Sequence, residues 1–378
     1  MRSRTVEIFE QYIQSEWTKK TYRYSIDAFC KWLDFEEWKQ IIDLDSNELR
    51  HKIEDYVILR KNEGKSHNYI RTTTFALQSL CEANEKDGIN WKKIRKLLGS
   101  KTKPKKTRPF TTNECQIMLD HAKGLRNKAL ILFLASSGVR RGGIAHLKIK
   151  HLKQMPHNTV RLTVYADTNE EYITFINKEA SDALTRYHKQ REYDGEKLTP
   201  ESFVFRNNYN QRKTKNGLLN IQPFDENAIS SVIMRIKQNA GISIEGIPNM
   251  LSHAFRRRFN TILKLNNNAN VTLIERLMGH DQGLDNAYFQ PTEEQLFEEY
   301  CKGMANLSIN DNERLQAERE LLETQITELE EERNKVNELE NKMKKQEETL
   351  MDLMKLVSTG KAEIMLQSGN EIHVKLKN

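Results

Sequence analysis

Residues Thr159–Ile176 read TVRLTVYADTNEEYITFI, and this stretch decides the fold class. Apolar and polar residues alternate through TVRLTVYA and again through EYITFI, with the polar run Asp167–Glu170 between them. That is the period and turn content of a β-hairpin. Around it the periodicity is helical. Helices are expected upstream over Thr112–Lys123 and Arg126–Ala135, and downstream over Asp225–Asn239, Ser252–Leu265 and Val271–Met278. A small sheet among helices makes residues 110–307 an α+β domain, and the chain as a whole mostly helical.

Farther out, residues 1–98 predict an all-α domain. Apolar residues recur at helical spacing in Val6, Phe9, Tyr12 and Ile13, and in Tyr22, Ile26, Phe29 and Leu33. Further helices are expected over Glu48–Lys61, ending near Gly64, and over Ser66–Asn84, with Thr18 and Ser66 as N-caps. Residues 99–109 form a linker containing KTKPKKTRP. Proline and like charges disfavour a helix there, so Lys101, Lys103, Lys105, Lys106 and Arg108 are expected to lie extended against phosphates.

On the C-terminal side, residues 308–358 predict one long coiled-coil helix. Leu315, Leu322, Leu329, Val336, Met343, Leu350 and Val357 recur every seven residues. The second stripe is compromised, with Ile326 apolar but Arg333, Glu340 and Glu347 at equivalent places. Such a helix is expected to self-associate or to take a partner helix. The tail, residues 359–378, alternates on either side of Ser368–Gly369–Asn370 and predicts a terminal hairpin.

Charge sharpens this division. The net charge is +7, but Asp311–Ser358 carries 14 acidic and 8 basic residues, so the remainder carries +13. A body that basic points to a polyanion, by default nucleic acid. Hydrophobic residues make up 37% and mean hydropathy is −0.75, enough for a core but without an apolar run that spans a bilayer. The N-terminus lacks the apolar core of a signal peptide, which points to the cytoplasm or nucleoid. Cys30, Cys81, Cys115 and Cys301 are far apart, and neither a zinc pair nor a disulfide framework is expected.

Four further segments carry chemistry together. SSGVRRGG, Ser136–Gly143, follows an apolar helix, and its glycines leave Arg140 or Arg141 projecting from a tight corner. In HAFRRR, His253 and Arg256 are three apart and share a helix face. LMGH places His280 just past Gly279, and LDNAYFQP places Tyr288 eight residues later. Each is weak alone, but jointly they equip phosphoryl transfer at a diester. Two guanidinium groups clamp the non-bridging oxygens. Histidine moves protons near neutral pH, and a tyrosine phenolate, favoured among cations, is the nucleophile. No carboxylate cluster suited to two-metal hydrolysis accompanies them, so no metal and no cofactor are expected.

These segments resemble the tyrosine recombinase (integrase) family over residues 1 to about 307. Ser137–Gly138–Val139–Arg140 is similar to its Thr-Gly-x-Arg turn, His253 and Arg256 to its His-x-x-Arg, and Met278–Gly279–His280 to its Leu-Gly-His box. The resemblance implies that Arg140 and Arg256 bind the scissile phosphate, His253 handles the nucleophile's proton and His280 bonds the phosphate. Tyr288 would form a 3′-phosphotyrosine link during cleavage and rejoining. It further implies a core-binding domain at 1–98 and a catalytic domain at 110–307, closing as a clamp on double-stranded attachment sites, with a homo-tetramer at synapsis. Two positions depart from the pattern. Gly143 stands where an acidic residue is usual, and the hairpin turn lacks the leaving-group lysine, leaving Lys153 or Lys178 as the substitute. EEYITF and GLDNAYFQPTEEQLFEEY look like integrases of archaeal mobile elements. The alternatives are a Xer-like resolvase of chromosome dimers and a non-catalytic DNA-binding protein on the same fold.

Overall fold

The computed structural model describes residues 3–100, 107–207, 221–243, 251–266, 268–280, 283, 288–359, 362–367 and 371–376. The chain divides into two compact units, Met1–Lys105 and Lys106–Asn378. The linker cations Lys101, Lys103, Lys105 and Lys106 lie outside the described residues.

Six helices build the first unit: α1 (Arg4–Tyr12), α2 (Glu16–Leu33), α3 (Trp38–Asp43), α4 (Ser46–Asn62), α5 (His67–Ala83) and α6 (Trp91–Leu98). Side chains cap the starts of α2, α4, α5 and α6. Asp45 accepts from the Asn47 amide at 2.8 Å and Ser66 from the Tyr69 amide at 3.2 Å, each cap stabilising by about 1 kcal/mol. The cap of α2 is Ser15 and not Thr18, whose own amide donates to the Ser15 hydroxyl. Phe9, Phe29, Trp38, Tyr56, Leu77 and Ile94 meet in one core. The short helices α3 and α6 escape the sequence pattern because each offers only one or two turns.

In the second unit, α7 (Thr112–His121) begins with a capping box between Thr111 and Glu114. Arg108, expected on phosphates, instead grips Glu114 with two 2.7 Å hydrogen bonds. Next, α8 (Leu125–Ser137) is buried on every side from Ala129 to Ser137, which makes it the central helix of the unit. It ends at Gly138, whose left-handed φ of +59° also accommodates the Phe259 ring; a Cβ there would lie 2.8 Å from it. After α9 (Arg141–His146) come β1 (Leu152–Gln154), β2 (Val160–Val164) and β3 (Tyr172–Ile176), an antiparallel sheet in that order. The expected hairpin pairs Val160 with Ile176 and Val164 with Tyr172. Strand β1, too short to show a period, adds a third member.

Helix α10 (Lys178–Tyr193), unanticipated because its apolar positions are small or mixed, packs on α8. It is followed by α11 (Glu226–Asn239), α12 (Leu251–Lys264), α13 (Val271–Leu277) and α14 (Glu293–Leu307). Tyr300 of α14 is fully buried and donates to the Ser136 carbonyl at 3.2 Å, pinning α14 to the end of α8. The long helix is α15 (Asp311–Ser358), and β4 (Ala362–Gln367) pairs antiparallel with β5 (Glu371–Leu376). The turn between them, Ser368–Asn370, lies outside the described residues. No helix among the described residues is long and apolar enough to cross a membrane.

Candidate active site

The corner after α8, the start of α12 and the turn after α13 converge beside the β2–β3 hairpin. Arg256, 6% exposed, donates to the Gly138 carbonyl at 2.8 Å and also to the Met278 carbonyl. Arg140, which opens α9, donates to the Gly279 carbonyl at 3.1 Å. One guanidinium therefore ties two of the motif loops together, and the second reinforces one of them. Gly279 is required here, since its φ is +59° and a Cβ would fall 2.4 Å from the Tyr172 ring.

Arg140, His253 and Arg256 line one recess of about 150 Å³ together with Arg141, Gly142, Tyr165, Ser252 and Glu226. Arg140 also lines an adjoining groove of about 870 Å³, shared with the hairpin turn, Arg276, His280 and Phe289–Pro291. Among the described residues neither Arg140 nor Arg256 has a carboxylate partner, whereas Arg141 is held by Glu226 at 3.0 Å and by Ser230 at 2.7 Å. The choice between the two adjacent arginines is thus made by their partners: Arg140 is the one facing the cavity without a counter-charge. Burial lowers the pKa of Arg256, the mark of a cation short of solvation. On the far side of α12, Arg258 is also buried, but its two terminal nitrogens donate to three carbonyls and the Thr112 hydroxyl.

Burial, followed by the charges of Arg256, Arg257, Arg140 and Arg141, pushes the pKa of His253 below the ordinary histidine value. Its ring is therefore a neutral proton acceptor at pH 7. His280 is paired through Nδ1 with Glu275, and Glu275 also holds Lys264. Burial opposes ionisation of Glu275, but the Lys264 and His280 hydrogen bonds outweigh it and lower its pKa. With Nδ1 engaged, Nε2 is the nitrogen left to meet an anion.

Tyr288 stands beside this groove but not in it. Its side chain is 87% exposed, while the next residue, Phe289, lines the groove and accepts from Arg276 at 2.6 Å. The preceding residues 284–287 lie outside the described set. The two proposed lysines are not brought to the site. Lys153 is bound to Glu293 at 2.8 Å, and Lys178 to Glu313 at 3.0 Å at the edge of a separate cavity. Gly143 has no room for the acidic residue of the family pattern, because a Cβ would lie 2.5 Å from Val164.

Four residues at the site gave no usable sequence signal: Tyr165, Glu226, Glu275 and Arg276. Glu275 is the exception in principle, since five residues spanning a helix end and a glycine turn return it to His280. Tyr165 ends β2 in a left-handed conformation with φ +54°, and a Cβ on Gly142 would sit 3.0 Å from its hydroxyl. Burial raises its pKa, against the opposing pull of Arg140.

Residues 108–290 match the phage integrase family. The matched span includes every motif residue from Arg140 to Tyr288. No sequence among curated proteins matches the chain. Solved structures of similar fold include a lambda integrase dimer bound to a COC′ core site, with TM-score 0.52 and 17% identity over 77% of this chain and 96% of that one. A lambda integrase tetramer bound to a Holliday junction gives 0.52 and 16% over 76% and 75%. The XerH site-specific recombinase in a post-cleavage complex gives 0.50 and 19% over 71% and 74%.

Proposed function

We propose that this protein is a tyrosine site-specific recombinase that cuts and rejoins DNA at the attachment sites of a mobile element. The observation that carries this reading is the pair Arg140 and Arg256, facing one cavity with His253 and having no carboxylate partner among the described residues. A buried cation needs a counter-charge, and a phosphodiester supplies it. The basic body is suited to the rest of the duplex.

In the first step the Tyr288 oxygen attacks phosphorus, its proton passes to neutral His253, and the P–O5′ bond breaks. Arg140 and Arg256 hold the non-bridging oxygens, and His280 donates through Nε2. The leaving O5′ takes its proton from Tyr165, whose side chain lines the same recess as the two arginines. Rejoining reverses each transfer: the incoming 5′-hydroxyl returns a proton to Tyr165, and His253 returns one to Tyr288. The phosphotyrosine ester conserves the bond, so no metal or cofactor is invoked. Tyr288 must enter the groove for attack, on its own site or on that of a neighbour within a synaptic tetramer. Residues 1–98 would supply the second arm on DNA, and an archaeal mobile element remains the proposed source of the sites.

The test uses nicked suicide duplexes carrying sites selected for binding from a random pool. The wild-type chain should form a covalent adduct on a denaturing gel, and Tyr288→Phe should bind without forming one. Binding without any wild-type adduct would favour the non-catalytic reading, to which the exposed Tyr288 and the lysine-free turn lend support.

A further inference from the structure

Helix α15 begins on the body and then leaves it. Its first turns are fixed by the Lys178–Glu313 pair, by Glu179 accepting from the Ile309 amide at 2.8 Å, and by Leu321 packed against the α12–α14 core. Beyond Leu321 the heptad-stripe residues Leu322, Leu329, Val336, Met343 and Leu350 are exposed. Val336, Leu339, Met343 and Leu350 are 52–61% exposed. A row of large apolar side chains along three turns and more is costly to leave in water.

The second stripe is more complete than a single register suggests. Before Val336 it lies four residues after the first, as in Leu322 and Ile326; from Val336 onward it lies three after, as in Val336–Leu339 and Leu350–Leu353. The C-terminal stretch therefore has Val336, Met343 and Leu350 at a, and Leu339, Gln346 and Leu353 at d. A change of three residues in phase is a stammer, which tightens the supercoil locally. In this register Lys335 and Lys342 occupy g, and Glu340 and Glu347 occupy e.

These charges choose the occupant. In a parallel, in-register pair of identical helices, g of one chain meets the next e of the other. Lys335 then faces the other copy's Glu340, and Lys342 its Glu347, each pairing occurring twice. An antiparallel pair sets g against g and e against e, placing lysine on lysine and glutamate on glutamate. Lys342 currently pairs within its own helix with Glu338 at 2.8 Å, an exposed contact that exchanges at little cost. Gln346, a lone polar layer, penalises slipped registers.

We propose that residues Val336–Leu353 form a parallel, in-register two-stranded coiled coil with a second copy of this chain, so that the protein is a dimer before it meets DNA. A synaptic tetramer would then assemble from two preformed pairs. The inference stands apart from the recombinase reading, because its measurement uses no DNA and no cleavage.

Sedimentation of the full chain over a micromolar concentration range should show a species of twice the 44.4 kDa chain mass. Leu339→Glu with Leu350→Glu should leave only monomer with unchanged helix content, since both sites are exposed. Lys335→Glu with Lys342→Glu should weaken the dimer at least about tenfold. Mixing that variant with Glu340→Lys, Glu347→Lys should restore a heterodimer. A monomeric wild type, or a leucine variant that still pairs, would overturn the proposal. A lysine variant that pairs as tightly as wild type would overturn the parallel orientation, because an antiparallel pair merely exchanges one like-charge contact for another.

Discussion

Two pairs of arginines in the same unit have opposite fates. Arg191 and Arg206 share the carboxylate of Glu196, which is 3% exposed, with Arg206 Nε at 2.6 Å. Arg140 and Arg256 donate to backbone carbonyls, have no carboxylate partner among the described residues and open onto a cavity. The first group is closed: one carboxylate within the fold serves both guanidinium groups, and it holds α10 to the segment after it. The second is left one anion short. Desolvating a guanidinium without a counter-charge costs several kcal/mol, a cost the fold tolerates where a ligand's charge completes the site. The difference between the groups separates an arginine that supports structure from one proposed to bind substrate.

The comparison breaks most visibly by exchanging the losses. Arg256→Gln is expected to lower strand cleavage by about 10²- to 10³-fold with little loss of thermal stability, as removal of a transition-state charge clamp does. Glu196→Gln is expected to do the reverse, costing about 3–5 kcal/mol in denaturant unfolding because two buried cations lose their partner. Equal loss of stability in both would erase the distinction. Tyr165→Phe should come next, slowing cleavage by about 10²-fold. A substrate with sulfur at the 5′ bridging position, whose thiolate leaves without a proton, should recover that loss; failure to recover it would remove Tyr165 as the donor.

The pH profile tests the neutral histidine that burial, followed by the neighbouring arginines, creates. The His253 pKa is depressed, so its base form persists on acidification past the ordinary value of 6.5. Cleavage should therefore hold until pH falls below that value and drop thereafter, and His253→Gln should lose that acidic limb. The smallest effect is expected from Glu275→Gln. It keeps a hydrogen-bond acceptor for His280 but removes the charge shared with Lys264, so a loss of only a few-fold in cleavage is anticipated. A larger loss would mean that His280 works as a cation and not merely as an oriented donor.

Legibility followed how local the determinants are. The hairpin, the capped helices and the heptads were readable because one face of each is fixed by a short period. Ser66 capped α5 as its position suggested, while Thr18 lost to Ser15 because both are suitable caps three residues apart. Helices α3, α6 and α10 and strand β1 are short or weakly patterned, and packing partners far along the chain hold them in place. At the site, Arg140 and His253 could be named from motifs. Lys153, Lys178 and Arg108 could not be excluded that way, because the carboxylates that engage them, Glu293, Glu313 and Glu114, are identified only by folding.

By itself, then, the sequence determined the element types, the basic body, the acidic heptad helix and the order of the motif residues. These are properties of nearest neighbours and of composition. Only the tertiary structure decided which cations meet a carboxylate within the protein, why Gly143 and Gly279 admit no side chain, and that Tyr165 and Glu275 stand beside the motif residues. Those outcomes depend on distances between residues far apart in the chain, and a counter-charge exerts its effect through space over a few ångströms.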